Sequence, residues 1–115
     1  MDTILLQQSD PVVLEVASMV LEGHFNVISF EQFPANIAHM ISSYSPKLVI
    51  VDFILEGQQA ITYLNEIREI DTTLAVIALS CNNDIAMVAK SKGFDGYICK
   101  PFEIDHLINR LKNYS

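Results

Sequence analysis

Leu48-Val49-Ile50-Val51-Asp52 is the stretch on which the fold turns. Four large aliphatics in succession, with no polar alternation, read as a strand covered on both faces, as in a parallel sheet. The carboxylate that closes the run then stands at the carboxyl edge, where ligands and chemistry gather in open α/β folds. Taken alone, Asp52 has two readings: a residue that solvates a turn or caps a helix, or a nucleophile or metal ligand. The ends of the other strands must decide between them.

Working outward from this strand, strands and helices alternate along the whole chain. Ile4-Leu5-Leu6 is a short apolar run, and Ser9-Asp10-Pro11 after it predicts a helix start, with Asp10 as N-cap and Pro11 in the first turn. Val12, Val13, Val16, Met19 and Val20 recur at helical spacing up to a stop at Gly23. Asn26 to Phe30 reads as a second strand. Pro34 opens a second predicted helix, with Ile37, Met40, Ile41 and Tyr44 as its inward stripe. After Pro46, Lys47 to Asp52 is the third strand, and Ile61, Leu64, Ile67 and Ile70 mark the helix beyond Gly57. Leu74 to Leu79 is a fourth strand, and Ile85, Val88 and Ala89 mark a fourth helix stopped by Gly93. Gly96 to Cys99 is a fifth strand, and Ile104, Leu107, Ile108 and Leu111 line a final helix after Pro101.

Five βα units in 115 residues imply a single domain, residues 1–115, of class α/β. Covered right-handed crossovers give a parallel sheet between helices, and the flavodoxin-like (βα)5 order 2-1-3-4-5 suits this length. That order brings Gln7-Gln8-Ser9-Asp10, Asp52, Ser80-Cys81 and Lys100-Pro101 to one edge. A carboxylate, a hydroxyl and an ammonium group would then converge there.

Half of the residues are apolar, which disfavours disorder. A formal charge of −7 argues against a nucleic-acid backbone and against an anionic membrane surface. No apolar stretch approaches the length of about 20 residues that spans a bilayer. Met1-Asp2-Thr3 lacks the basic start of a signal peptide, so a cytoplasmic location is expected. Cys81 and Cys99 lack metal-type spacing and read as reduced thiols. His24, His39 and His106 are scattered and form no ligand pair.

With these residues in place, the chain resembles a response-regulator receiver domain over its whole length. Asp52 in LVIVD, Gly57 after it, Ser80 in VIALS, and Tyr97 with Lys100-Pro101-Phe102 in GYICKPF carry the resemblance, each in order at its strand end. The resemblance implies a two-component, phosphorelay signalling module. Asp52 would accept a phosphoryl group from a histidine kinase or phosphotransfer protein, with Ser80 and Lys100 contacting that group. Tyr97 would be the switch aromatic, Lys100-Pro101 a cis-peptide candidate, and Mg²⁺ the assisting cation. An aspartate is a workable nucleophile for phosphoryl transfer when positive charge neutralises the phosphate oxygens.

The departures bear on the metal. Receiver domains place two acids after strand one, and here Gln8 and Ser9 stand there with neutral oxygens only. Mg²⁺ demands hard, charged oxygens in near-octahedral array, so Mg²⁺ binding is expected to be weak. Asp52 remains as a metal ligand, and Asp10, one residue late, is expected to cap its helix rather than join it. The following loop departs too: Glu56-Gly57 and then Gln58-Gln59-Ala60 replace the family's Pro-Gly and Asp-Gly.

Two mechanisms therefore stand within the receiver reading: phosphorylation at Asp52 with impaired Mg²⁺ assistance, or a phosphorylation-independent module acting by constitutive protein contacts. Asn82-Asn83-Asp84, Met87, Lys90, Asp105 and Arg110 would form the face used for partners or for a homodimer. A flavin or nucleotide binder of the same fold would need a glycine- or hydroxyl-rich phosphate loop, and Gln7-Gln8-Ser9-Asp10-Pro11 contains no glycine. A hydrolase with an aspartyl intermediate would want an acid where Ile54 stands, so no enzymatic turnover is expected.

Overall fold

In the computed structural model, which describes residues 2–54, 57–80, 90, 92–99, 108–109 and 111–112, the strands are β1 (Thr3–Gln7), β2 (Asn26–Phe30), β3 (Leu48–Asp52), β4 (Ala75–Ser80) and β5 (Gly96–Cys99). They form a parallel sheet in the order β2-β1-β3-β4-β5. This is the flavodoxin-like arrangement that the sequence predicts. β3 is central, and Leu48, Val49, Ile50 and Val51 are at most 1% exposed. Full burial of each such side chain stabilises the fold by about 1.5–3 kcal/mol.

Alternation along the strands separates two cores. Val49, Val51, Val76 and Ala78 pack with α2 (Ile37–Tyr44) and α3 (Gln58–Ile70). Ile4, Leu6, Leu48, Ile50, Ile77, Leu79 and Ile98 pack on the other face, with Ala17 and Leu21 of α1 (Pro11–Leu21) and with Ile108 and Leu111. The result is a three-layer sandwich with a buried carboxyl edge.

The helices follow the predicted positions better than the predicted faces. Asp10 caps α1 as expected, its Oδ1 accepting from Val12 N–H at 2.9 Å, with Pro11 in the first turn. The face against the sheet, however, is Ala17, Ser18 and Leu21, while Val12, Val16 and Met19 are 68%, 55% and 68% exposed. Small residues on this face bring the helix against β2, where Ser18 Oγ donates to Ser29 Oγ at 3.0 Å. α2 begins at Ile37 with Asn36 as its cap, not at Pro34, because Asn36 Oδ1 takes the His39 N–H at 3.1 Å. Tyr44 and Ile70 fall outside their buried stripes, while Ala60 and Tyr63 join Leu64 and Ile67 inside. Tyr63 packs edge-on against Phe33 and accepts the Phe33 N–H, joining α3 to the segment before α2.

At the amino edge, Arg68 bonds the Leu74 carbonyl at 2.5 Å and Asp95 at 2.6 Å. Asp95 Oδ2 also accepts from Val76 N–H, tying the starts of β4 and β5 together. Asp71 closes the turn before β4 by accepting from Thr73 Oγ1, Thr73 N–H and Leu74 N–H.

Candidate functional site

The carboxyl edge is built where two aliphatic strands end in polar residues. β1 ends in Gln7 with Gln8 following, both fully buried, and β3 ends in Asp52 at 3% exposure. β1 pairs with β3 through Leu6 and Ile50. Beyond that pair the connection passes to side chains.

Phe53 N–H bonds the Leu79 carbonyl of β4, so the preceding N–H, that of Asp52, faces β1. There the Gln7 side-chain Oε1 accepts it at 3.0 Å. The other end of the same amide donates to the Glu31 carbonyl, just past β2, at 2.8 Å. One glutamine thus ties together the carboxyl ends of β2, β1 and β3. The carboxylate is held separately: Ser9 N–H donates to Asp52 Oδ2 at 3.1 Å.

Ser80 ends β4 at 4% exposure, on the strand next to Asp52. It shares the parity of Ala78 and Val76, whereas Asp52 shares that of Ile50 and Leu48. The two therefore meet at the edge from opposite faces of the sheet. Tyr97 lies in β5 paired with Ala78, half-buried against the α2–α3 core. Gly57 caps α3 with φ +79°, and a Cβ there would strike the Phe53 ring. That positive φ and the close ring explain why glycine follows the acid. Lys100, Pro101, Glu56 and Cys81 lie outside the described residues, as do Asn82, Asn83, Asp84, Met87, Asp105, Arg110 and His106. His24 and His39 are exposed on separate elements.

The described side chains can be compared with what Mg²⁺ requires. Asp10 is exposed, and its Oδ1 accepts the Val12 N–H at the α1 cap. Ser9 turns a backbone N–H, not a lone pair, toward Asp52. Gln8 Nε2 bonds the Gln7 carbonyl, and Gln8 Oε1 is buried with no hydrogen-bond partner among the described residues, a neutral acceptor where receiver domains have an acid. Among the described residues no three His, Cys, Asp or Glu side chains come together. Among the described residues, one carboxylate and one amide oxygen do not fit a tight Mg²⁺ site. A groove of about 200 Å³, between Ala35–Ala38 and Glu66, Glu69 and Ile70, shares no residue with this edge.

Gln7 is what sequence reading missed. In the sequence it is one polar residue in Gln7-Gln8-Ser9-Asp10, and its signal is that it directly continues the apolar Ile4-Leu5-Leu6 run. A residue at the end of a buried strand is itself buried, and a buried amide needs partners.

A sequence profile of the response regulator receiver domain matches residues 4–112. The chain belongs to the receiver domain family. A probable C4-dicarboxylate response regulator of Priestia megaterium is 32% identical over 97% of this receiver domain and 51% of its own length. Chemotaxis protein CheY of Bacillus subtilis is 26% identical over 84% of this chain and 82% of its own. The chain spans about half the length of several curated relatives it matches. In three dimensions it is similar to the N-terminal signal receiver domain of a two-component response regulator from Bacteroides fragilis, with a TM-score of 0.85, 22% identity, and coverage of 99% and 96%. It is also similar to a response regulator of Thermotoga maritima solved in complex with Mg²⁺-BeF, with a TM-score of 0.82, 23% identity, and full coverage of both chains. Among the described residues, no helix is long and apolar enough to cross a membrane.

Proposed function

We propose that this receiver domain signals through Asp52 as phosphoacceptor, taking its phosphoryl group from a histidine kinase or phosphotransfer protein. The observation that carries this reading is the position of Asp52: a buried carboxylate at the carboxyl end of the central strand, held through Oδ2 by Ser9 N–H. An oxygen of the carboxylate attacks phosphorus, an acyl phosphate forms, and the phosphorus–nitrogen bond to the donor imidazole breaks. The departing imidazole nitrogen takes a proton. Ser80 would contact the transferred group from the neighbouring strand, and Lys100 would supply the compensating positive charge. Tyr97, half-buried beside Ala78, would follow Ser80 between inward and outward positions and so change the surface offered to partners or to a second copy. Any Mg²⁺ contribution through Asp52 is weak, because the side chains after β1 are neutral. The negative charge favours protein partners over nucleic acid for residues 1–115, and the family role is signalling rather than turnover.

A second reading is favoured by the neutral Gln8-Ser9 pair: a module that keeps the fold and acts by constitutive protein contacts. The experiment that separates the two is intact mass after incubation with a small acyl- or amido-phosphate donor, with and without Mg²⁺. Phosphorylation predicts a gain of one phosphoryl group that disappears in Asp52→Asn. Absence of any adduct, even at high Mg²⁺, favours the constitutive module.

A further inference from the structure

The Gln7 side chain is fully buried, and both of its polar ends are engaged with backbone groups of other strands. Only one orientation of the amide serves both. Its carbonyl must face the Asp52 N–H and its NH2 must face the Glu31 carbonyl, since the reverse would set donor against donor and acceptor against acceptor. The residues joined are 45 and 24 positions away in the chain. We propose that Gln7 is a positioning residue for Asp52: its side-chain amide fixes the backbone from which the carboxylate projects and couples that backbone to the segment after β2.

This inference rests on the reading of Asp52 as phosphoacceptor. Attack at phosphorus requires an oxygen placed in line, and misplacement of about 1 Å can cost on the order of a hundredfold in rate. A pair of acids holding a cation would fix the carboxylate from its front. With Gln8 and Ser9 there instead, the β1 end holds Asp52 from behind with neutral groups at two points. Gln7 Oε1 takes the backbone N–H, and Ser9 N–H takes Oδ2. An apolar side chain at position 7 would leave the Asp52 N–H without this acceptor and the Glu31 carbonyl without this donor.

The experiment compares the full chain with Gln7→Met and Gln7→Leu, which keep length or bulk but remove both hydrogen bonds. Amide hydrogen exchange is read residue by residue, and adduct formation is timed across a range of small amido-phosphate donor concentrations. Gln7→Met is expected to speed exchange at the Asp52 amide about tenfold, with Leu5 and Ile50 unchanged. At saturating donor its adduct rate should fall about ten- to a hundredfold, with half-saturation unmoved. A folded variant with wild-type Asp52 exchange, or with a wild-type adduct rate, overturns the proposal. So does a uniform loss of protection across β1 and β3 with an adduct rate falling only as the folded fraction falls. If the unaltered chain takes no adduct, the phosphoacceptor reading fails, while the exchange data still decide whether Gln7 sets the Asp52 backbone. If neither variant folds, the unaltered chain decides: an Asp52 amide as protected as Ile50 supports the bond, and one exchanging like a loop amide overturns it.

Discussion

β1 and β3 are neighbouring strands built alike and finished differently. Ile4-Leu5-Leu6 and Leu48-Val49-Ile50-Val51 are equally buried and pair in register. One run ends in amides and the other in a carboxylate. The aliphatic residues belong to the scaffold, which needs only volume and apolarity. The polar ends meet at the carboxyl edge, where the amide end is neutral and hydrogen-bonds the Asp52 backbone and carboxylate. A receiver domain can therefore keep its sheet and a buried carboxylate at the end of β3 with amides, rather than acids, at the end of β1.

The largest test of this contrast restores charge to the amide end. Gln8→Asp combined with Ser9→Asp should tighten Mg²⁺ binding by at least about a hundredfold, since each full charge near 4 Å contributes several kcal/mol before desolvation is subtracted. A calorimetric Mg²⁺ titration checks it, and unchanged affinity would move the defect to the Glu56-Gly57 loop. Next in size, Gly57→Ala attacks the carboxylate end. Positive φ and collision with the Phe53 ring together should cost about 2–4 kcal/mol in urea unfolding. A near-neutral result would mean that Phe53 moves aside freely.

A smaller effect separates Asp10 from the metal site. Loss of its cap in Asp10→Ala should destabilise the fold by about 1 kcal/mol and leave Mg²⁺ affinity where it was. Weakened Mg²⁺ binding would return Asp10 to the ligand set. Smallest of all is Asp71, a half-buried acid at the opposite edge of the sheet. Hydrogen bonds from the Thr73 hydroxyl, and then from the Thr73 N–H, hold its carboxyl below the ordinary value. A lowered folded value means that its contribution is complete above the unfolded pKa and fades as pH falls through the folded one. Asp71→Asn should therefore flatten the acid end of the stability–pH curve slightly and leave neutral and basic pH dependence unchanged.

Much of this was legible in the residues alone. The uninterrupted aliphatic runs showed which strands are buried, and their alternation with helices showed a parallel sheet, for which the order 2-1-3-4-5 is the natural arrangement at this length. Asp10-Pro11 announced a helix start because capping is a local bond, made two residues away. Asp52 was found by its place at the end of a run. Tertiary structure alone decided which side of α1 is covered. Pro11–Leu21 is apolar around most of its circumference, so periodicity offers several stripes, and the sheet selects Ala17 and Ser18 because small side chains allow close approach. It alone decided the role of Gln7 as well. Local pattern shows that a polar residue follows Leu6, but the Asp52 N–H and Glu31 carbonyl reach it only after three strands have been laid side by side. Periodicity is a property of neighbours along the chain; the satisfaction of a buried amide is a property of neighbours in space.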